Sequence, residues 1–158
     1  MTKSKMFTRR NLLIGGGALV VVGGGAAFAA RDYVMRVSEV GDLLTPQEAH
    51  QLAIAGDILL IDIRRPDEWT KTGVGEGANP IDMRRDDFVA ALNGLTGGRT
   101  SAPVALICAR GVRSRRMTEM LKAAGYSRII DVPEGMLGSR AGPGWLKRAL
   151  PTVPYSNS

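Results

Sequence analysis

Three short apolar runs recur along the chain, and segments with helical signals separate them. The runs are 58-ILLIDI-63, 103-PVALI-107 and 128-RIIDV-132. Apolar residues follow one another in these runs instead of alternating with polar ones, which is typical of strands buried on both faces of a parallel sheet. Because strands and helices alternate along the sequence, we predict an α/β fold with a central, mainly parallel sheet flanked by helices.

The segments between the runs carry the signals that begin and end helices. Thr45 and Glu48 are spaced as a capping box, Pro46 fits the first helical position, and Gly56 fits the end of that helix. Met117, Met120, Leu121 and Ala124 recur at helical spacing and should face the core. Further elements are predicted as helices near 86–95, 114–125 and 144–150, a glycine-rich loop at 72–80 and a short strand at 80–83.

The only cysteine of the chain, Cys108, directly follows the second apolar run and precedes a predicted helix. Active sites of parallel α/β sheets lie beyond the carboxyl ends of the strands, which is where this position falls. The loop after Cys108 can turn successive backbone N–H groups inward as an anion-binding nest, and Gly111 relaxes the steric limits on its curvature. The cations Arg110 and Arg113 also favour a thiolate. We therefore predict a reactive thiolate at this position.

The composition limits the alternatives for this cysteine. A single cysteine excludes an internal disulfide and a site in which several cysteines bind a metal. The only histidine, His50, lies in the first predicted helix, where a packed or solvated histidine is more common than a catalytic one. We expect no catalytic role for His50 and no metal or other cofactor.

The first thirty residues have the layout of an export signal. The segment 1–10 carries four basic residues and no acidic one, and residues 11–29 carry no charge. The small residues of 27-AFA-29 then offer a site for cleavage. Arg9 and Arg10, followed by two leucines, resemble the pair of a twin-arginine signal, which the export machinery would recognise. We predict an export signal at 1–30, a domain at 31–158 and a periplasmic location. An uncleaved leader that remains as a membrane anchor stays open as the alternative.

The charge distribution argues against nucleic acid as a partner. The formal net charge is +6, but four of the basic residues lie within the first ten positions. The chain beyond residue 30 has 17 basic and 15 acidic side chains, a net charge of +2. Nucleic-acid binding needs a basic surface on the folded domain, and only one local cluster, around Cys108, is present.

Several motifs together resemble those of single-domain rhodaneses, which are sulfurtransferases. The segment 108-CARGVRS-114 is similar to their C-x-x-G-x-R-[ST] loop, and 58-ILLIDIRRPDEW-69 is similar to the signature that contains Asp62, Arg64, Glu68 and Trp69. The segment 73-GVGEGA-78 departs from the usual G-H-I-P-G-A. The segment 134-EGMLGSRAGPGW-145 has Met136 in place of a glycine and a longer run before Trp145. The resemblance implies a rhodanese-like three-layer domain.

The resemblance also implies a mechanism. Cys108 would attack an anionic donor such as thiosulfate, become a persulfide and pass the sulfur to cyanide or a thiol. The substrate would lie in the loop that follows Cys108, which consists of Ala109, Arg110, Gly111, Val112, Arg113 and Ser114.

Side chains near the loop receive separate roles. Arg110 would attract the donor, and Arg113 would shape the loop and its positive field. Arg115 and Arg116 are expected on a solvated helix face. The resemblance further suggests a structural Asp62, a core Trp69 and a wall of the site around Met136.

Three other functions remain to be weighed. Cysteine phosphatases need C-x5-R, whereas the spacing from Cys108 to Arg113 is C-x4-R, and no acid lies within the loop. This spacing disfavours a phosphatase. A persulfide carrier would use the same Cys108, and a non-catalytic rhodanese-like binding module is the remaining alternative. The sequence does not separate the carrier from the enzyme.

Overall fold

The computed structural model describes residues 42–156. These residues belong to one compact unit. The predicted export signal at 1–30 lies outside the described residues, so both the signal and the domain boundary at residue 31 stay predictions.

A four-stranded parallel sheet forms the centre of the domain. Its strands, given by their bounds in chain order, are β1 (Leu59–Asp62), β3 (Ala78–Pro80), β4 (Val104–Ile107) and β5 (Ile129–Val132). They are arranged in the order β3-β1-β4-β5, and every neighbouring pair is parallel. Two further short strands, β2 (Val74–Gly75) and β6 (Thr152–Val153), pair antiparallel with each other. The predicted mainly parallel α/β fold is confirmed.

Helices connect the strands and cover the sheet. They are α1 (Pro46–Ala55), α2 (Pro66–Thr72), α3 (Phe88–Thr96), α4 (Val112–Ala123) and α5 (Gly144–Lys147). The capping box is present, because the Thr45 side chain accepts from the Glu48 N–H and the Glu48 carboxylate accepts from the Thr45 N–H. Gly56 ends α1 in the left-handed conformation with φ of 75°.

Several predicted boundaries are wrong. The short strand expected at 80–83 ends at Pro80, and the last helix ends at Lys147 rather than at residue 150. Helix α4 begins at Val112, two residues before its predicted start. Met120 is 47% exposed, whereas Met117 and Leu121 are buried as expected.

The buried apolar side chains form two clusters, and the alternation along β1 and β4 distributes neighbours between them. Leu60 belongs to the cluster that includes Ala49 and Trp145, whereas Ile61 packs with Phe88 and Leu121. Successive side chains of a strand point to opposite faces, so a continuous apolar run fills both clusters. Within residues 42–156, no helix is long and apolar enough to cross a membrane.

Candidate functional site

Cys108 lies between the end of β4 and the start of α4, at the carboxyl edge of the sheet. The residue is 1% exposed. The Gly111 N–H donates to its Sγ at 3.1 Å, and the thiol donates to Ser114 Oγ at 3.6 Å. The Ser114 hydroxyl donates in turn to the Gly111 carbonyl at 3.1 Å. Because a hydroxyl can rotate, Ser114 is also placed to donate to a deprotonated sulfur.

Close backbone packing sets the shape of this loop at Gly111. Gly111 has φ of +79°, and a Cβ at this position would lie 2.1 Å from the Pro133 carbonyl oxygen. No side chain fits that gap. The absence of a side chain therefore lets the loop pass against Pro133, and that position aims the Gly111 N–H at the sulfur.

The segment after β5 holds the other side of the loop. The Met136 N–H donates to the Cys108 carbonyl at 2.8 Å, and the Leu137 N–H donates to the Ala109 carbonyl at 2.9 Å. The loop around Met136 was expected to form a wall of the site, and within that loop the Met136 side chain itself is fully buried in the core cluster with Trp145. It is therefore the backbone of this segment that supports the cysteine loop.

Arg113 anchors the loop to α2 through a bidentate ion pair. Its guanidinium donates to both oxygens of Glu68, at 2.7 Å and 2.6 Å. One Glu68 oxygen also accepts from the Arg65 N–H at 3.1 Å, which caps the start of α2. The hydrogen bonds from Arg113 are the main reason that the pKa of Glu68 is lowered. The expected shaping role of Arg113 agrees with these contacts, but Glu68 offsets the positive field that was expected from it.

A buried ion pair joins β1 to the end of α2. Arg64 is 1% exposed and donates to both oxygens of Asp62, at 2.7 to 3.0 Å. It also donates to the Gly73 carbonyl at 2.7 Å and to Thr72 Oγ1 at 2.8 Å. The structural role suggested for Asp62 agrees with these contacts.

A cavity of about 360 Å³ adjoins the cysteine loop. It is lined by Arg110, Gly111, Val112, Arg115, Asp131, Pro133, Ser139, Arg140 and Ala141. Arg115 is exposed on α4, as expected, and it also lines this cavity. Arg116 is exposed and does not line the cavity.

Asp131 is the one acidic residue in this lining. It is 5% exposed, and its Oδ1 has no hydrogen-bond partner. Burial raises the pKa of Asp131 despite the opposing positive charge of Arg115. The lining thus combines three arginines with one buried carboxyl group.

His50 and Trp69 lie in packed surroundings away from the loop contacts. His50 Nε2 is 2.9 Å from Glu76 Oε2, and the ring meets Trp145 edge-on. Trp69 is 3% exposed and packs against Tyr155, which agrees with the suggested core role. In the described part of the chain, no group of three or more His, Cys, Asp or Glu residues could hold a metal ion.

Sequence reasoning missed three charged contributors to this region, Glu68, Asp131 and Arg140. Glu68 was noted only as part of a motif, and its contact with Arg113 joins residues 45 positions apart. Arg140 lies in the longer run before Trp145 and had no local signal for a place beside the cysteine loop. The remaining predicted residues, Cys108 to Ser114, are consecutive and run from the end of β4 into the first turn of α4.

The family model described as "Rhodanese-like domain" matches residues 45–140 of this chain. Among curated proteins, the tRNA uridine(34) hydroxylase of Rhizobium leguminosarum bv. trifolii (strain WSM2304) is 28% identical over 99 residues, which is 62% of this chain and 32% of that protein. That of Acinetobacter baumannii (strain AYE) is 28% identical over 101 residues, 62% of this chain and 31% of the protein. The chain spans about a third of the length of these relatives.

Solved structures give a similar result over more of the chain. The polysulfide-sulfur transferase homodimer of Wolinella succinogenes is 26% identical, with a TM-score of 0.56, and the match covers 84% of this chain and 91% of that chain. A rhodanese-3-like domain from Anabaena sp. is 17% identical, with a TM-score of 0.50, over 64% of this chain and 96% of that chain. The second likeness concerns the fold alone.

Proposed function

The chain belongs to the rhodanese-like domain family, and we propose that it transfers sulfane sulfur from an anionic donor to a thiophilic acceptor through a persulfide on Cys108. The observation that carries this proposal is the position of the sulfur. Sγ lies in a cup formed by the Gly111 N–H at 3.1 Å and Ser114 Oγ at 3.6 Å. The Gly111 N–H donates to the sulfur, and the Ser114 hydroxyl can rotate to donate once the sulfur is deprotonated. These donors favour an anion, and both the thiolate and the persulfide are anions.

The proposed reaction has two displacements at sulfur. The Cys108 thiolate attacks the outer sulfur of thiosulfate, the S–S bond of the donor breaks, and sulfite leaves with the bonding electron pair. A thiolate or cyanide then attacks the outer sulfur of the persulfide. The new bond forms to the acceptor, the persulfide bond breaks, and Cys108 returns to the thiolate.

The persulfide also improves access to the reacting atom. Cys108 is almost completely buried, but a persulfide places its outer sulfur about 2 Å beyond Sγ. The second displacement occurs at that outer atom. The acceptor therefore does not need to reach Sγ itself.

Polysulfide is a second candidate donor. The structural neighbour at 26% identity is named a polysulfide-sulfur transferase, which supports the same chemistry with a chain of sulfur atoms. Val112 is 68% exposed and Leu137 is 37% exposed, so apolar surface is present near the loop for the inner sulfur atoms of a polysulfide, whose charges lie at the ends of the sulfur chain. A persulfide carrier that hands the sulfur to another protein uses the same intermediate.

The contacts of Arg113 weigh against a phosphatase. A cysteine phosphatase needs its loop arginine free to hold the phosphoryl oxygens, whereas the Arg113 guanidinium is held by both oxygens of Glu68. The curated relatives are named tRNA uridine(34) hydroxylases, but about two thirds of each of those proteins lies outside the match. We therefore do not propose tRNA hydroxylation for this chain.

The experiment that tests the proposal measures the intact mass of the protein after treatment with thiosulfate or polysulfide. We expect Cys108 to gain one sulfur atom and to lose it when a thiol or cyanide is added. Cys108→Ser should gain none, and turnover should fall to background while the domain remains folded. Full thiosulfate:cyanide activity in that variant would exclude the mechanism.

The comparison of the two donors separates the candidates further. If polysulfide loads Cys108 much faster than thiosulfate does, polysulfide is the favoured donor. If loading is efficient but small thiols and cyanide discharge the persulfide poorly, the carrier function is favoured over the enzyme.

We also propose that the chain is exported to the periplasm through the twin-arginine route. The basic start, the uncharged run and the pair Arg9 and Arg10 support this. Replacing both arginines by lysine keeps the charge but removes the guanidinium groups. We expect the folded precursor to stay in the cytoplasm, and the size of the wild-type exported protein distinguishes a cleaved leader from a retained anchor.

A further inference from the structure

The arginines of the described domain divide into two groups. Six of the twelve are paired with a carboxylate within 4.0 Å, namely Arg64, Arg65, Arg84, Arg85, Arg113 and Arg148. Arg110 and Arg140 have no side-chain hydrogen bond or ion pair within residues 42–156, and both line the cavity beside the cysteine loop. Arg115 adds a third guanidinium to the same lining.

The charges of the lining do not cancel. Three guanidiniums face one carboxyl group, Asp131, which is 5% exposed and has an oxygen without a partner. The cavity therefore retains an excess of positive charge even when Asp131 is ionised. Charges of one sign in a concave site concentrate ligands of the opposite sign.

The size of the cavity exceeds what a small inorganic donor needs. Its volume of about 360 Å³ lies at the lower end of the range for pockets that hold small organic ligands. At roughly 30 Å³ per water-sized atom, the five heavy atoms of thiosulfate fill less than half of it. An organic molecule with several more atoms fits better.

Gly111 connects this cavity to the sulfur. It lines the cavity, and its N–H donates to Cys108 Sγ at 3.1 Å. Gly111 therefore belongs both to the wall of the cavity and to the hydrogen-bonding partners of the reacting sulfur.

From these observations we propose that the cavity lined by Arg110, Arg115 and Arg140 binds the anionic group of an organic thiol, which is the acceptor of the sulfur. The thiolate of that molecule attacks the outer sulfur of the Cys108 persulfide, the persulfide bond breaks, and the sulfur leaves on the acceptor. This inference rests on the proposed sulfur transfer and names its acceptor class.

Arg140→Gln is the variant that tests the subsite, because Arg140 is exposed and its side chain has no partner whose loss could disturb the fold. The matched control is Arg99→Gln. Arg99 is also exposed, and it precedes β4, so it lies toward the amino end of that strand rather than the carboxyl end that holds Cys108.

The first measurement needs no sulfur transfer. Cys108 is alkylated with iodoacetate, which is anionic, and with iodoacetamide, which is neutral and nearly the same shape. We expect Arg140→Gln to lower the iodoacetate-to-iodoacetamide rate ratio about fivefold or more at low salt, and Arg99→Gln to keep the wild-type ratio. An equal ratio in all three proteins overturns the anion subsite.

The second measurement identifies the acceptor. Protein loaded with sulfur on Cys108 is discharged with 3-mercaptopropionate or with 2-mercaptoethanol, and each thiol is compared between wild type and variant so that its intrinsic reactivity cancels. In Arg140→Gln, the 3-mercaptopropionate concentration for half-maximal discharge should rise about tenfold, and that for 2-mercaptoethanol should change less than twofold.

The outcomes separate the two proposals. An equal loss with both thiols, or a changed alkylation ratio with unchanged discharge, overturns the assignment of the acceptor. If Cys108 never gains sulfur in wild type, the proposed function fails, and the alkylation ratio still decides whether the cavity attracts an anion.

Discussion

Gly111→Ala should disable the sulfur cup without removing any functional side chain. A Cβ at this position would lie 2.1 Å from the Pro133 carbonyl oxygen, whereas ordinary contacts begin at 3.4 Å. The difference, 3.4 minus 2.1, means that the loop must move by about 1.3 Å if Pro133 stays in place. The Gly111 N–H lies 3.1 Å from Sγ, and a movement of this size is large enough to take the N–H out of its hydrogen-bonding position at the sulfur.

Two costs follow for the variant. A left-handed backbone at an alanine costs about 1–2 kcal/mol, and forcing a group into a filled space costs about 1–3 kcal/mol more. Loss of one donor to the anionic sulfur should slow persulfide formation at least about tenfold, equivalent to about 1.4 kcal/mol.

Gly98→Ala is the control for backbone strain. Gly98 has φ of +74°, close to that of Gly111, but nothing lies within 4 Å of a Cβ placed there. It should lose only the strain of about 1–2 kcal/mol and should load sulfur at the wild-type rate. The assays are urea unfolding and the rate at which Cys108 gains sulfur from thiosulfate. If both variants lose the same stability and load equally fast, close packing against Pro133 does not position the donor.

Three further predictions concern charged residues around the loop. Glu68→Gln should lower the melting temperature by a few degrees, because the partly exposed ion pair with Arg113 contributes about 1 kcal/mol. The control is Asp67→Asn, which breaks the exposed pair with Arg65 and should change the melting temperature little. Equal shifts in the two variants would contradict the anchoring role of Glu68. The pKa of Glu134 is lowered, chiefly by hydrogen bonds from Arg148, so its ionised form stabilises the fold fully above pH 4.5 and this stabilisation is lost as the pH falls through the lowered pKa. Urea titrations should therefore show that Glu134→Gln loses less stability than wild type between pH 6 and pH 3. Identical pH profiles would count against this. Burial raises the pKa of Asp131, so its ionised form destabilises the fold; this destabilisation is absent below pH 3.8 and complete above the raised pKa. Asp131→Asn should therefore melt at a higher temperature than wild type at pH 7. A lower melting temperature would show that the fold needs the charge.

The main features of the fold follow from local signals. The continuous apolar runs became β1, β4 and β5 because each strand supplies side chains to both core clusters. The cysteine loop was located because a glycine and several cations directly follow the end of a strand. These features depend on residues within a few positions of one another.

The features that were missed depend on contacts distant in sequence. Helix α2 has only Trp69 fully buried among its seven residues, so it shows no apolar periodicity. Strand β3 is defined by its pairing with β1, in which Ala78 lies opposite Leu60, and its side chains are only partly buried or exposed. The pairing of Glu68 with Arg113 and the place of Arg140 beside the loop likewise require the folded chain.

The backbone support of the cysteine loop has a consequence for protein engineering. The loop is held by the N–H groups of Met136 and Leu137 and by the passage of Gly111 against Pro133, and none of these contacts uses the side chains of the rim. Arg110 and Val112 are exposed at that rim. Their side chains can therefore be varied in a library, with Gly111 and Ser114 kept fixed, to change which sulfur compounds are accepted while the donors around the sulfur stay in place.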